Sequence, residues 1–227
     1  MKLQMLVSRT TREWMRGALI GLATIVVVSF SGGACAAEAE APDALVKRLV
    51  EDVMVTVKSD KDIQAGSVNK INALVEAKVL PYVNFTKMTA SAVGRNWSQA
   101  SPEQQKRIID QFRQLLVFTY SGALSDVRDQ QIQYKPFRAD PSDKVVQVNT
   151  QVVNARGGEP IQLNYKLEKA SDAWKIIDVN VLGVWLVENY RNSFQEEVTR
   201  GGIDGLIKTL TEKNQSLAHA VAQRGKT

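Results

Sequence analysis

The chain has 227 residues, with 29 basic side chains against 24 acidic ones, and it contains one histidine and one cysteine. Hydrophobic residues at 44% and charged residues at 23% are typical of a soluble globular domain and exclude both a disordered chain and a multispan membrane protein. Basic and acidic residues alternate along the predicted helices instead of forming a basic stripe, so nucleic acid is not an expected partner.

The first 36 residues have the pattern of a secretory signal peptide. Four basic residues precede an uncharged run over residues 17–30, which is too short to span a bilayer and is followed by Ala34-Cys35-Ala36. We expect cleavage after Ala36, which leaves an exported chain of 191 residues without a thiol. The alternative is that Cys35 becomes the lipidated first residue of a lipoprotein, but Gly32 stands where such signals normally carry a bulky aliphatic residue.

The first half of the exported chain predicts helices. After a short linker over residues 37–42, apolar residues recur every three or four positions in segments that begin near residues 43, 67, 85 and 102. The last of these has the clearest start, because Ser101 can cap the helix, Pro102 fits its first position and Gln104 can complete a capping box. This long helix is predicted to continue to about Leu124.

The second half changes to the two-residue alternation of half-buried strands. Four strands are predicted, at about 130–137, 144–154, 160–168 and 174–181, and their short connections require antiparallel neighbours. A helical pattern returns after Gly183 and continues past Gly201-Gly202. The predicted fold class is therefore α+β, a four-stranded antiparallel meander sheet with helices packed on one face around an apolar cavity. The domain is assigned to residues 43–214, with a C-terminal tail over 215–227.

Few side chains are suited to catalysis. His219 lies in the predicted tail and is interpreted as a surface residue, and a catalytic triad or a zinc site would need further histidines or cysteines. Asp178 lies within an apolar strand, where a carboxylate either makes a structural hydrogen bond or serves as a catalytic base. We expect no enzymatic activity, no metal and no cofactor.

Two groups of motifs indicate a family. Residues 80–85, 94–97 and 101–105 in the first half, and 174–179, 189–191 and 202–206 in the second, resemble the MlaC family, the toluene-tolerance auxiliary proteins of Gram-negative bacteria. The resemblance covers almost the whole exported chain, from about Pro42 to Asn214. Two positions depart from the family pattern, Asn84 where Asp is frequent and Trp185 where a serine is common.

The resemblance implies a periplasmic phospholipid carrier that maintains outer-membrane lipid asymmetry. Such a carrier moves phospholipid between an outer-membrane lipoprotein complex and the lipid-binding ring of an inner-membrane ABC transporter, holding the acyl chains in an apolar cavity. Phospholipid is then the bound cargo, and we expect the carrier to be a monomer.

Apolar residues on elements that are predicted to face one another are the candidates for the cavity wall. The hypothesised acyl-chain residues are Phe112, Leu116, Tyr120, Tyr165, Val179, Val181 and Tyr190. Arg95 and Arg191 could meet a lipid phosphate at the rim, or make ordinary surface salt bridges. Two other classes remain open at this stage: an enzyme that acts on an apolar substrate with Asp178 as base, and an interaction or chaperone module whose apolar residues are all core.

Overall fold

The computed structural model describes residues 40–154, 157–171 and 173–224. The predicted signal peptide, its cleavage site and Cys35 lie outside these residues, as do linker residues 37–39. Within the described ranges, no helix is long and apolar enough to cross a bilayer. The same ranges contain no cluster of His, Cys, Asp and Glu side chains that could hold a metal ion.

Helices form the first half of the domain and its C-terminal end. They are α1 (Pro42–Ser59), α2 (Lys61–Gln64), α3 (Val68–Leu74), α4 (Phe85–Val93), α5 (Pro102–Ser125) and α6 (Leu186–Arg224). The predicted capping box at the start of α5 is confirmed. The Gln104 amide N–H donates to Ser101 Oγ at 3.2 Å, and the Ser101 amide N–H donates to Gln104 Oε1 at 2.9 Å.

Short 3₁₀ and π-helical turns lie between the α-helices of the first half. α3 continues into a π-helical turn over Val75–Val79 and then a 3₁₀ turn over Leu80–Tyr82, while another 3₁₀ turn over Gly94–Gln99 connects α4 to α5. α6 bends at Gly201 and Gly202, where Gly202 has a φ of +67°. The helix continues to Arg224, so the described part of the segment that we assigned to a tail is helical.

The antiparallel sheet contains five strands, whereas the sequence predicted four. The strands are β1 (Gln131–Tyr134), β2 (Val145–Val153), β3 (Ile161–Ala170), β4 (Ala173–Val181) and β5 (Val184–Trp185), and each one pairs with the next along the chain. Leu182 and Gly183, with φ angles of +54° and +84°, form the two-residue turn that folds β5 back on β4. Two residues carry too little alternation to be recognised as a strand, so the prediction placed a simple strand-to-helix turn there.

A β-bulge in β4 decides which of its side chains face the helices. Tyr165 pairs with Val179 and Leu167 pairs with Ile176, so the register shifts by one residue between these pairs. Paired residues share a face of the sheet, and the bulge therefore puts Ile176 and Val179 on the same face although three positions separate them.

The apolar interior forms three clusters. One lies between the sheet and α1 and includes Leu45, Leu49, Val148 and Leu167. A second joins α4, α5 and α6 around Phe112, which is fully buried. The third joins α1, α2, α3 and α5. Because α1 and α5 each contribute to two clusters, they connect the packing of the sheet to that of the helices.

Candidate functional site

An apolar cavity of about 190 Å³ lies between the helical half and β4. It is partly open to solvent. Its walls come from α3 and the turns that follow it, from α4, α5 and β4, and from Leu186 at the start of α6. Many of the apolar residues that line it are only half-buried, among them Val75, Val79, Leu80, Leu116 and Leu124. Half-buried apolar side chains around a common space expose hydrocarbon that another apolar group can cover.

One stripe of α5 forms a wall of this cavity. The stripe consists of Arg113, Leu116, Val117, Tyr120 and Leu124. Each of these residues lies three or four positions from another member of the stripe, which places them on one side of a helix. Tyr120 is half-buried, and desolvation raises the pKa of its hydroxyl above the ordinary value, so the phenol is neutral at physiological pH.

The opposite wall begins on α3 and continues through the π-helical turn. Ile71, Val75 and Val79 line the cavity at spacings of four residues. In a regular α-helix such residues would drift about 40° around the axis at each step. The wider π turn reduces this drift, so all three side chains face the cavity. Leu80 and Val83 extend the same wall toward the sheet.

The sheet is attached to this wall by backbone contacts and by one side-chain hydrogen bond. Val83 forms a parallel bridge with Ile176, and the Asn84 amide N–H donates to the Ile176 carbonyl at 2.8 Å. Lys175 Nζ donates to the Pro81 carbonyl at 2.6 Å. Val179, placed on this face by the bulge, is the β4 residue that lines the cavity.

The structure brings three of the seven hypothesised acyl-chain residues to the cavity, namely Leu116, Tyr120 and Val179. Phe112 and Tyr190 lie behind the wall in the helical cluster. The Phe112 ring lies 5.6 Å from Phe85, 4.9 Å from Tyr190 and 5.0 Å from Phe194, measured between ring centroids. Phe112 therefore supports the cavity-lining Phe85 from behind and has no surface of its own in the cavity.

Tyr165 and Val181 also lie outside the cavity. Tyr165 is buried between the sheet and α1, where desolvation raises the pKa of its hydroxyl strongly. α1 covers that part of the sheet face. The alternation along β3 indicates that Tyr165 is buried, but it does not indicate which element covers the residue. Val181 is half-buried at the end of β4, beside the turn at Leu182.

Arg95 and Arg191, the two candidates for the lipid phosphate, are both absent from the cavity wall. Arg95 is exposed on the 3₁₀ turn before α5. Arg191 lines a separate polar groove with Lys166 and Trp185, and its Nε donates to the Ser91 carbonyl at 3.1 Å. In that groove Lys166 Nζ lies 4.6 Å from the centroid of the Trp185 ring.

Asp178 borders the same groove and is engaged in holding the start of α6. Its Oδ1 accepts hydrogen bonds from the Val187 amide at 3.0 Å and from the Val179 amide at 2.9 Å. Burial raises the pKa of this carboxyl, although the two hydrogen bonds act in the opposite direction. These contacts correspond to the structural interpretation of Asp178.

Sequence reasoning missed two parts of the site. The wall over residues 75–83 was not predicted, because a π turn has no distinct residue pattern and Pro81 is typical of an ordinary helix end. Arg113, which lines the cavity, was not among the candidates, because a charged residue on a helix is typical of a solvated face. Its position three residues before Leu116 and seven before Tyr120 is the signal that could have identified it.

Fold and cavity together define an α+β binding domain with an apolar pocket between helices and sheet. The profile described as MlaC protein matches residues 47–212, which is more than half of the chain. The chain therefore belongs to the MlaC family.

Two curated relatives and one solved structure resemble the chain over most of their length. The intermembrane phospholipid transport system binding protein MlaC of Haemophilus influenzae is 23% identical over 83% of this chain and 89% of the relative. The toluene tolerance protein ttg2D of Pseudomonas putida is 26% identical over 86% of each chain. The phospholipid-binding protein of Ralstonia solanacearum, solved in complex with a phospholipid, is 46% identical with a TM-score of 0.75, over 78% of this chain and 98% of that one.

Proposed function

We propose that this protein is a phospholipid carrier of the periplasm, which binds one lipid molecule at a time in its apolar cavity and releases it without any chemical step. The cavity between helices and sheet is the observation that carries this proposal. Family membership supports it, as do the names of the two relatives and the phospholipid in the similar solved structure. A cavity also distinguishes this domain from an interaction module whose apolar residues are all core.

The energetic need for such a carrier follows from the acyl chains. Burying one methylene group stabilises it by about 0.8 kcal/mol, and a diacyl lipid has on the order of thirty of them. Escape of the bare lipid into water therefore costs roughly 20 kcal/mol or more. An apolar wall that replaces the bilayer removes most of this cost, so transfer to the carrier is nearly isoenergetic and its direction depends on the partners.

The cavity must enlarge to hold a lipid. A volume of about 190 Å³ is close to that of an engineered cavity of about 150 Å³ that accepts benzene, and it suits only part of one acyl chain. A dry cavity costs about 24 cal/mol per Å³, so keeping about 1,000 Å³ open would cost about 24 kcal/mol. That exceeds the roughly 5–15 kcal/mol of stability of an ordinary domain. We infer that the incoming chains separate the wall over residues 75–83 from α5.

The cellular setting is part of the same proposal. The name of the Haemophilus relative, an intermembrane phospholipid transport system binding protein, supports a carrier that meets membrane complexes. We propose an outer-membrane lipoprotein complex and the lipid-binding ring of an inner-membrane ABC transporter as the donor and acceptor of lipid. The signal-peptide pattern before Ala36 supports export. We propose that the mature protein acts as a monomer.

Native mass spectrometry of the protein purified from the periplasm tests the function directly. We expect a mature chain that begins at Ala37, accompanied by the mass of a bound phospholipid. A mass that corresponds to lipidated Cys35 at the N-terminus would overturn the predicted cleavage site and leave the carrier function standing. Absence of lipid after solvent extraction, together with no uptake of labelled phospholipid from vesicles, would overturn the function.

A further inference from the structure

Arg113 is the one charged side chain among the described residues that line the cavity. It lies on α5 next to Leu116 and Val117 in the cavity stripe, and its side chain is 31% exposed. Arg113 therefore combines an aliphatic stem suited to an apolar wall with a charged group that remains partly accessible to water. A phospholipid whose acyl chains enter this cavity brings a phosphodiester with it, and a guanidinium can bind such an anion.

An ion pair connects Arg113 to the opposite wall. Arg113 Nη1 lies 3.0 Å from Glu76 Oε1, and Glu76 belongs to the π-helical turn whose Val75 and Val79 line the cavity. Asp110, one turn earlier on α5, lies 3.8 Å from Arg113 Nη2. The Arg113–Glu76 pair thus links α5 to the wall over residues 75–83.

This ion pair is well placed for exchange with a ligand. The Glu76 side chain is 58% exposed, and ion pairs in such surroundings contribute little to stability because water and salt screen them. The planar guanidinium has the geometry to bind a phosphate through two hydrogen bonds. A phosphodiester can therefore replace the Glu76 carboxylate without a large loss, and it leaves Asp110 in place beside the arginine.

We propose that Arg113 binds the lipid phosphodiester at the cavity mouth and that Glu76 is its internal competitor. This inference rests on the proposed carrier function and deepens it. The arriving phosphate displaces Glu76 from Arg113, which releases the π-helical turn and lets the wall over residues 75–83 move away from α5. Binding of the headgroup and opening of the cavity are then one event, and release of the lipid restores the ion pair.

Two substitutions separate this role from that of a simple structural strap. Arg113→Gln and Glu76→Gln both break the ion pair, but only the first removes the phosphate ligand. The assay measures equilibrium transfer from phosphatidylcholine vesicles of two lipids with the same fluorescent acyl chain, phosphatidylglycerol and diacylglycerol. Arg107→Gln is the matched control, since Arg107 is an exposed arginine of the same helix outside the cavity wall. Thermal melting verifies that each variant is folded.

We expect Arg113→Gln to weaken phosphatidylglycerol binding by about tenfold and to leave diacylglycerol binding unchanged. Glu76→Gln should bind phosphatidylglycerol at least as tightly as the wild type and take it up faster, while Arg107→Gln should match the wild type. Inorganic phosphate alone should not displace the bound lipid. Displacement by millimolar phosphate would instead assign the site to free phosphate and overturn the proposal.

Equal effects of Arg113→Gln and Glu76→Gln would also overturn it, because a strap depends on both partners alike. So would an equal loss of both lipids in Arg113→Gln, or no change in either. These outcomes leave the carrier function intact, since the wild-type protein still takes up lipid. Failure of the wild type to take up either lipid would reject the carrier function itself, and with it this inference.

Discussion

Filling the cavity should stabilise the protein and impair lipid binding at the same time. Val179→Phe adds four carbon atoms on the β4 side of the cavity. Valine and phenylalanine both favour strands, so the substitution does not disturb the sheet. The cavity of about 190 Å³ corresponds to an upper limit of about 4–5 kcal/mol at about 24 cal/mol per Å³. One phenyl ring fills part of it, and we expect the free energy of unfolding to rise by about 0.5–2 kcal/mol.

Urea unfolding followed by circular dichroism gives the stability, and transfer of fluorescent phospholipid from vesicles gives the binding. Val145→Phe is the matched control, because it makes the same change on β2 at a position that is 48% exposed. The control should change the free energy of unfolding by less than about 0.5 kcal/mol and leave uptake unaltered. If Val179→Phe loses stability while it retains full uptake, the cavity is not the site of the acyl chains and the reasoning is refuted.

Three further substitutions address residues whose roles the structure defines. Phe112→Leu removes ring contacts with three aromatic partners and should lower the free energy of unfolding by about 2–4 kcal/mol. The folded variant should retain lipid uptake. A loss of uptake without a loss of stability would contradict this expectation. Leu182→Asn should raise the free energy of unfolding in urea by about 1 kcal/mol, because Leu182 has a φ of +54° and is 69% exposed. Asparagine tolerates both the left-handed backbone conformation and contact with water. A decrease in the free energy of unfolding would argue against backbone strain at this position. Asp178 has a raised pKa in the folded state, so its ionisation lowers stability as the pH rises above the ordinary value of 3.8, and Asp178→Asn should reduce that decline in urea titrations between pH 3 and 7. The variant should still take up lipid, and an unchanged pH dependence would show that another group is responsible.

Local patterns in the sequence were sufficient for most of the helices and strands. The capping box at Ser101 was predicted because its hydrogen bonds join residues only three positions apart. The long strands were predicted because alternation over eight or more residues is unambiguous, whereas β5 was missed because two residues have no period. The family was also accessible, since its motifs are runs of residues along the chain.

The composition of the cavity wall depended on packing between distant elements. On α5, the sequence pattern placed Phe112 and Leu116 on one apolar face, because they are only about 40° apart around a helix of 3.6 residues per turn. The structure divides them: the core stripe runs through Phe112, and the cavity stripe runs through Leu116 and through Tyr120, which is about 80° from Phe112. Both stripes are apolar, and hydrophobicity does not indicate whether a neighbouring element fills the space in front of a residue.

Tyr165 and Val179 show the same distinction. They are paired in the sheet and share a face, yet α1 covers Tyr165 while the cavity lies in front of Val179. The sequence by itself determined that this face is apolar, because the polarity of a side chain is a property of the residue alone. The tertiary structure alone decided where that face is covered by protein and where it is left for a lipid, because the length and path of the helices across the sheet set the distance between the walls.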